Sequence, residues 1–105
     1  MFIAVYEFEV IEGKEEVFRQ YWLKTTQGIY QECGSLGSRL HKTNKLNIYV
    51  GYAQWPSKEI WNNGNLTGED YLAARNEMRK CLVSSKTIYE MEVTDDYLQS
   101  VEFKA

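Results

Sequence analysis

Cysteine, histidine, proline and clustered positive charge are all scarce in this 105-residue chain. The two cysteines, Cys33 and Cys81, stand far apart, with no Cys-x-x-Cys and no paired histidines. Neither a thiolate metal site nor a disulfide framework is indicated. Lysine and arginine total 12 against 15 acidic residues, a net charge of −3, and no basic cluster appears. A nucleic-acid binder needs an electrostatic footprint on one face, so that class is set aside. Long apolar runs are missing too. The N-terminal MFIAVYEFEV carries glutamates and lacks a basic start, so it reads as a strand rather than a signal peptide or membrane span. A cytoplasmic location is the default expectation. Internal repeats, low-complexity segments and interdomain linkers are also absent.

What is present is ordinary globular material: 44% hydrophobic and 26% charged residues. The length fits one domain over residues 1–105, burying roughly 65% of its unfolded surface. Aromatic residues make up 14%, more than such a core needs. Large aromatics are common at interfaces and in pockets, so association or a ligand is implied.

Phe2 to Ile11 suits a strand, with Phe2, Ala4, Tyr6, Phe8 and Val10 on one face and Ile3, Val5, Glu7 and Glu9 on the other. Gly13 breaks it, and Lys14-Glu15-Glu16 opens a helix with acids near its positive end. Val17, Phe18, Tyr21, Trp22, Thr25 and Ile29 recur at helical spacing, and the helix should end near Cys33, with Gly34 as the stop. Leu36–Lys42 and Leu46–Trp55 flank a polar turn and predict an antiparallel hairpin. Pro56 cannot donate to a ladder and should end the strand, while Ser57 caps a short helix containing Glu59, Ile60 and Trp61. Thr67-Gly-Glu-Asp70 resembles a capping box before a helix through about Leu82, with the stripe Tyr71, Leu72, Ala74, Met78, Cys81 and Leu82. Thr87–Val93 predicts the fourth strand, and Thr94–Ala105 forms a tail.

The order β-α-β-β-α-β predicts the α+β, ferredoxin-like arrangement: an antiparallel sheet with helices on one face. Two helices cover one side only, yet strands three and four carry apolar residues on both. Exposed apolar patches mark interfaces, so a homodimer joined sheet to sheet is expected, with the 94–105 tail able to cross to the partner.

Three segments carry a family resemblance: Val10-Ile-Glu-Gly-Lys-Glu-Glu-Val-Phe18, Gly34-Ser-Leu-Gly-Ser-Arg-Leu-His41 and Tyr52-Ala-Gln-Trp-Pro-Ser-Lys-Glu-Ile-Trp61. Together, over residues 1–93, the chain resembles the antibiotic biosynthesis monooxygenase family of the dimeric α+β barrel group. The resemblance implies a homodimer with a pocket in each subunit between sheet and helices. It also implies oxidation of small aromatic, quinol-like phenols by molecular oxygen, without metal or flavin. In the quinone-forming members the third strand ends Asn-Tyr-Ala-Gln-Trp, and the tryptophan matches Trp55, while the asparagine position holds Gly51. A later-helix arginine used there is matched most nearly by Arg75. The haem-degrading branch needs a helix histidine and a strand-one asparagine. This chain has only His41, on strand two, with Ala4 or Val5 at the asparagine position, which disfavours haem degradation.

The candidate catalytic residues are therefore Trp55 and Arg75, with Trp22, Tyr49, Gly51, Ala53 and Tyr71 as candidate pocket residues and no cofactor or metal. Each has a plainer alternative. Trp55 either walls a pocket or packs at a strand end. Gly51 and Ala53, between Tyr49 and Trp55, either leave a hollow or mark a bulge or a close helix approach. Arg75 either points into the pocket or keeps its stem on the core and its head in water. Trp22 either packs or roofs the cavity. Histidine is the side chain best suited to act as a base, but His41 shares a face with Arg39, opposite Leu36 and Leu40. The functional alternative is a non-catalytic dimer of the same fold that binds a small molecule.

Overall fold

Side chains alternate across a pleated strand, and β1 (Phe2–Val10) uses that alternation to bury Phe2, Ala4, Phe8 and Val10 beneath the helices. The computed structural model describes residues 1–98. Gly13 turns the chain at φ 87°, and α1 (Glu15–Cys33) follows, closed by Gly34 at φ 81°, a left-handed value that suits glycine. Then come β2 (Gly37–Lys42), β3 (Ile48–Trp55), α2 (Lys58–Asn63), α3 (Glu69–Lys80) and β4 (Leu82–Glu92). Pro56 ends β3 as expected, and the Ser57 hydroxyl accepts the Ile60 N–H at 3.2 Å to start α2.

The strands form one antiparallel sheet in the order β2-β3-β1-β4, the predicted ferredoxin-like arrangement. The β1–β3 ladder pairs Phe2 with Trp55, Ala4 with Ala53, Tyr6 with Gly51 and Phe8 with Tyr49, without a shift. That regular ladder removes the bulge reading of Gly51. Two apolar clusters fill the space between sheet and helices. One joins Phe8, Val10, Phe18, Tyr49 and Cys81, and the other joins Phe2, Ala4, Ala53 and Trp55. Tyr6 packs against both. The Phe18 ring stands 5.3 Å from that of Phe8 and 5.6 Å from that of Tyr49, in tilted contacts that favour aromatic pairs.

Several boundaries differ from expectation. β4 begins at Leu82 rather than Thr87, so Leu82 belongs to the strand and not to the α3 stripe. Ser84-Ser85-Lys86 has little strand preference of its own, but β1 offers unpaired backbone as far as Val10, whose partner is Leu82. Thr67 does not cap α3. The helix starts after Gly68, and Glu32 of α1 supplies the acceptors instead. β3 starts at Ile48, leaving Leu46 exposed in the turn, where the Thr43 hydroxyl donates to Ile48 O at 2.8 Å and Asn47 takes φ 64°. Leu36 lies outside β2 and is exposed. In the tail, Tyr97 and Leu98 remain exposed, and the expectations for residues 99–105 fall outside the described residues. Among the described residues, no helix is long and apolar enough to cross a membrane.

Candidate functional site

Small residues on β3 and bulky ones on α1 leave a gap between sheet and helix. Gly51 and Ala53 form part of its floor, with Tyr6 and Phe8 of β1 beside them. Trp22, Thr26 and Ile29 of α1 roof it, Trp55 closes one end, and Met78 of α3 reaches in from the side. The cavity measures about 190 Å³. That exceeds the ~150 Å³ of an engineered apolar cavity that holds benzene. Of the remaining readings of Gly51 the hollow holds, while the close neighbours of a Cβ there are rings of β1 and not a helix. Gly51 borders the hollow, and a Cβ there would stand 3.1 Å from Phe8 Cε2, so glycine also lets the Phe8 ring lean across.

α3 holds α1 in place over this gap. The Tyr71 ring lies flat on Gly28, its hydroxyl donates to Gln31 Oε1 at 2.6 Å, and the Lys24 ammonium sits 5.1 Å from its centroid. Glu32 accepts the Thr67 N–H at 2.7 Å and the Gly68 N–H at 3.1 Å, satisfying donors at the start of α3. Those two backbone hydrogen bonds hold the Glu32 carboxyl below the ordinary glutamate value.

The polar equipment of the cavity is sparse. Its lining includes no carboxylate, imidazole or amine. Thr25 Oγ1 donates to Tyr21 O at 2.8 Å and is spent within the helix. Tyr6 is different. Its hydroxyl accepts the Trp61 indole N–H at 2.6 Å, and among the described residues no acceptor takes its own proton. Burial, reinforced by the Glu90 charge and opposed by the Trp61 hydrogen bond, pushes the Tyr6 phenol above its ordinary value. Tyr6 is therefore a protonated donor throughout the neutral range. Trp61 is itself fixed by its ring contact with Phe2, 5.1 Å between centroids. The Trp55 Nε1 is buried and has no partner among the described residues, which is unusual for a tryptophan 4% exposed.

Of the residues singled out from the sequence, the fold brings Trp22, Gly51, Ala53 and Trp55 together around the cavity. It places three elsewhere. Tyr49 packs against Phe18 and borders an outer groove, and Tyr71 lies between α1 and α3. Arg75, half-buried with an unpartnered Nε, is not in the cavity wall; burial, helped by the Glu32 charge, pushes the Cys33 thiol up, and the Arg75 charge opposes that only in part. His41 is exposed on the face away from the helices, its Nδ1 3.1 Å from Val50 O. Tyr6 was missed, although the sequence carries a signal for it. It is the one hydroxyl on the otherwise apolar even face of β1. Among the described residues, no group of three or more His, Cys, Asp or Glu side chains is placed to hold a metal ion.

No protein-family model matches this sequence, and no curated protein does. Solved structures do match. SnoaB, a cofactor-independent oxygenase from Streptomyces nogalater, superposes with a TM-score of 0.73 at 19% identity, over 93% of this chain and 97% of its own. A Bordetella bronchiseptica protein assigned as an antibiotic biosynthesis monooxygenase gives 0.75 at 14% identity, over 89% and 96% of the two chains. A Caulobacter crescentus CB15 protein with the same assignment gives 0.72 at 17%, over 90% of each. The resemblance noted in the sequence thus leads to structures carrying that family's name, and at these identities the likeness establishes the shared α+β fold.

Proposed function

We propose, from the fold shared with a cofactor-independent oxygenase, that this chain oxidises small aromatic, quinol-like phenols with molecular oxygen. The observation that carries the reading is an aromatic-walled cavity bordered by the Tyr6 hydroxyl, whose proton is not taken by any acceptor among the described residues. A phenol whose ring lies between Trp22, Phe8 and Trp55 would direct its oxygen to Tyr6. The donated hydrogen bond favours the phenolate, and the electron-rich phenolate passes an electron to oxygen within the apolar cavity. Oxygen then bonds to the para carbon. One oxygen atom becomes the new quinone carbonyl, and the other leaves as water with the phenolic and para hydrogens. Substrate and O2 balance the reaction without a further reductant. No basic side chain lines the wall, so the phenolic proton passes to solvent. Trp55 contributes wall, and Gly51 and Ala53 contribute room. The role assigned to Arg75 is stabilisation of negative charge from outside the cavity wall.

The same absence of an acid–base group favours a second reading, a binder that holds an aromatic ligand without consuming oxygen. Oxygen uptake with a panel of hydroquinones and anthrols separates the two, comparing wild type with Trp55→Phe and Arg75→Ala. Uptake indifferent to both substitutions removes those residues from the site. Ligand-dependent tryptophan quenching without uptake selects the binder.

We also infer a homodimer through the sheet face opposite the helices, where Tyr89 is 63% and Met91 38% exposed although their β1 partners Val5 and Ile3 are already buried. A monomer in sedimentation at micromolar concentration would remove that inference.

A further inference from the structure

Outside the cavity, a groove runs between α1 and the edge strand β2. Trp22 and Ser38 line both spaces, so groove and cavity meet at those two side chains. The cavity is mostly apolar and carries no charged side chain, but the groove differs. Arg19, Arg39 and Lys42 border it, with Glu16 as its one acid. None of the three cations is in an ion pair among the described residues, although the protein as a whole is acidic. Unpaired cations at the rim of an apolar recess favour a ligand with its negative charge at one end.

We propose that the ligand of this site is an aromatic acid, its ring in the cavity and its anionic arm, a carboxylate, held in the groove by Arg19, Arg39 and Lys42. This rests on the reading of the cavity as the aromatic pocket. Arg19 projects from the first turns of α1 and Lys42 from the helix-facing side of β2, so the arm is gripped from both sides of the gap, while Arg39, on the opposite face of that edge strand, borders the groove at its rim. The guanidinium groups suit a planar carboxylate, and the ammonium adds a point charge. The cations are exposed, so each contact is weak and screened by salt, and the three together amount to about tenfold in affinity at low ionic strength.

A matched pair of probes tests this: 2-naphthoate and its neutral isostere 2-naphthamide, titrated by tryptophan quenching and by calorimetry. The expected result is tighter binding of the naphthoate by about tenfold at low salt, shrinking as salt rises. In the triple variant Arg19→Gln, Arg39→Gln, Lys42→Gln the preference disappears while 2-naphthamide binds as before. All three side chains are exposed, so the variant should fold normally. Equal affinity for the two probes in the wild type, or a preference that survives in the triple variant, overturns the anionic-arm assignment and leaves the aromatic cavity standing. Failure of both probes to bind overturns the cavity reading and this inference with it.

Discussion

Tyr6→Phe removes one oxygen atom, and its consequences separate a structural hydroxyl from one that meets substrate. In the native protein that oxygen accepts the Trp61 N–H at 2.6 Å. Losing a neutral hydrogen bond of this kind costs about 1 kcal/mol of stability, and water can relieve the half-buried indole afterwards. Trp61→Phe, which keeps an aromatic ring to pack on Phe2, should cost a similar amount. The double variant should then fall short of additivity by about 1 kcal/mol, since both changes break the same bond. Activity should behave differently. If Tyr6 donates to the substrate oxygen, its removal lowers the rate of oxygen uptake about 100-fold, as loss of an oxyanion donor does. Trp61→Phe leaves the donor present but less well oriented, for a loss of about tenfold. Urea denaturation and oxygen-electrode kinetics on the three variants give both sets of numbers. Full wild-type uptake in Tyr6→Phe, alongside the expected stability loss, would refute the catalytic role and reduce the Tyr6–Trp61 pair to packing. Tyrosine absorbance against pH supplies a further check, because one tyrosine should resist ionisation beyond the ordinary value.

Other outcomes follow from the helix pair. Glu32 has a lowered folded-state value, so its stabilisation is complete above the unfolded glutamate value and is lost as pH falls through the folded one. Glu32→Gln should therefore flatten the acid limb of the urea midpoint against pH, and an unchanged limb would show that the clamp on Thr67 and Gly68 contributes nothing. Gly28→Ala gains about 1 kcal/mol in helix propensity but forces a methyl group into a ring, at about 1–3 kcal/mol. The new Cβ would fall against Tyr71 Cγ and 2.7 Å from Cδ1, so a net drop in melting temperature is expected. A rise would mean that α3 moves away freely.

Much of the fold was legible in residues that act on their own backbone. Gly34 and Pro56 mark their boundaries because positive φ and a missing N–H are local properties. The alternating even face of β1 and the helical stripe of Phe18, Trp22, Thr25 and Ile29 gave the order of elements and the buried side. The site was legible in part. Trp22, Gly51, Ala53 and Trp55 border one cavity because strand parity and helix periodicity already aimed them inward. Arg75 and Tyr71 could not be placed the same way, because their position depends on how α3 docks on α1.

Tertiary structure decided whatever required two distant segments to meet. Thr67 had the local credentials of a cap, yet its own N–H and that of Gly68 are held by a carboxylate from α1, and the helix starts one residue later, after Gly68. β4 begins where β1 still offers unpaired backbone, despite the weak strand preference of Ser84-Ser85-Lys86. Tyr6 meets Trp61 across 55 positions of sequence, and Arg19 joins Arg39 and Lys42 on one groove though no basic cluster exists in the chain. Periodicity reports which way a side chain faces. It does not report what it faces, because that depends on the packing of elements whose contacts are spread along the whole chain.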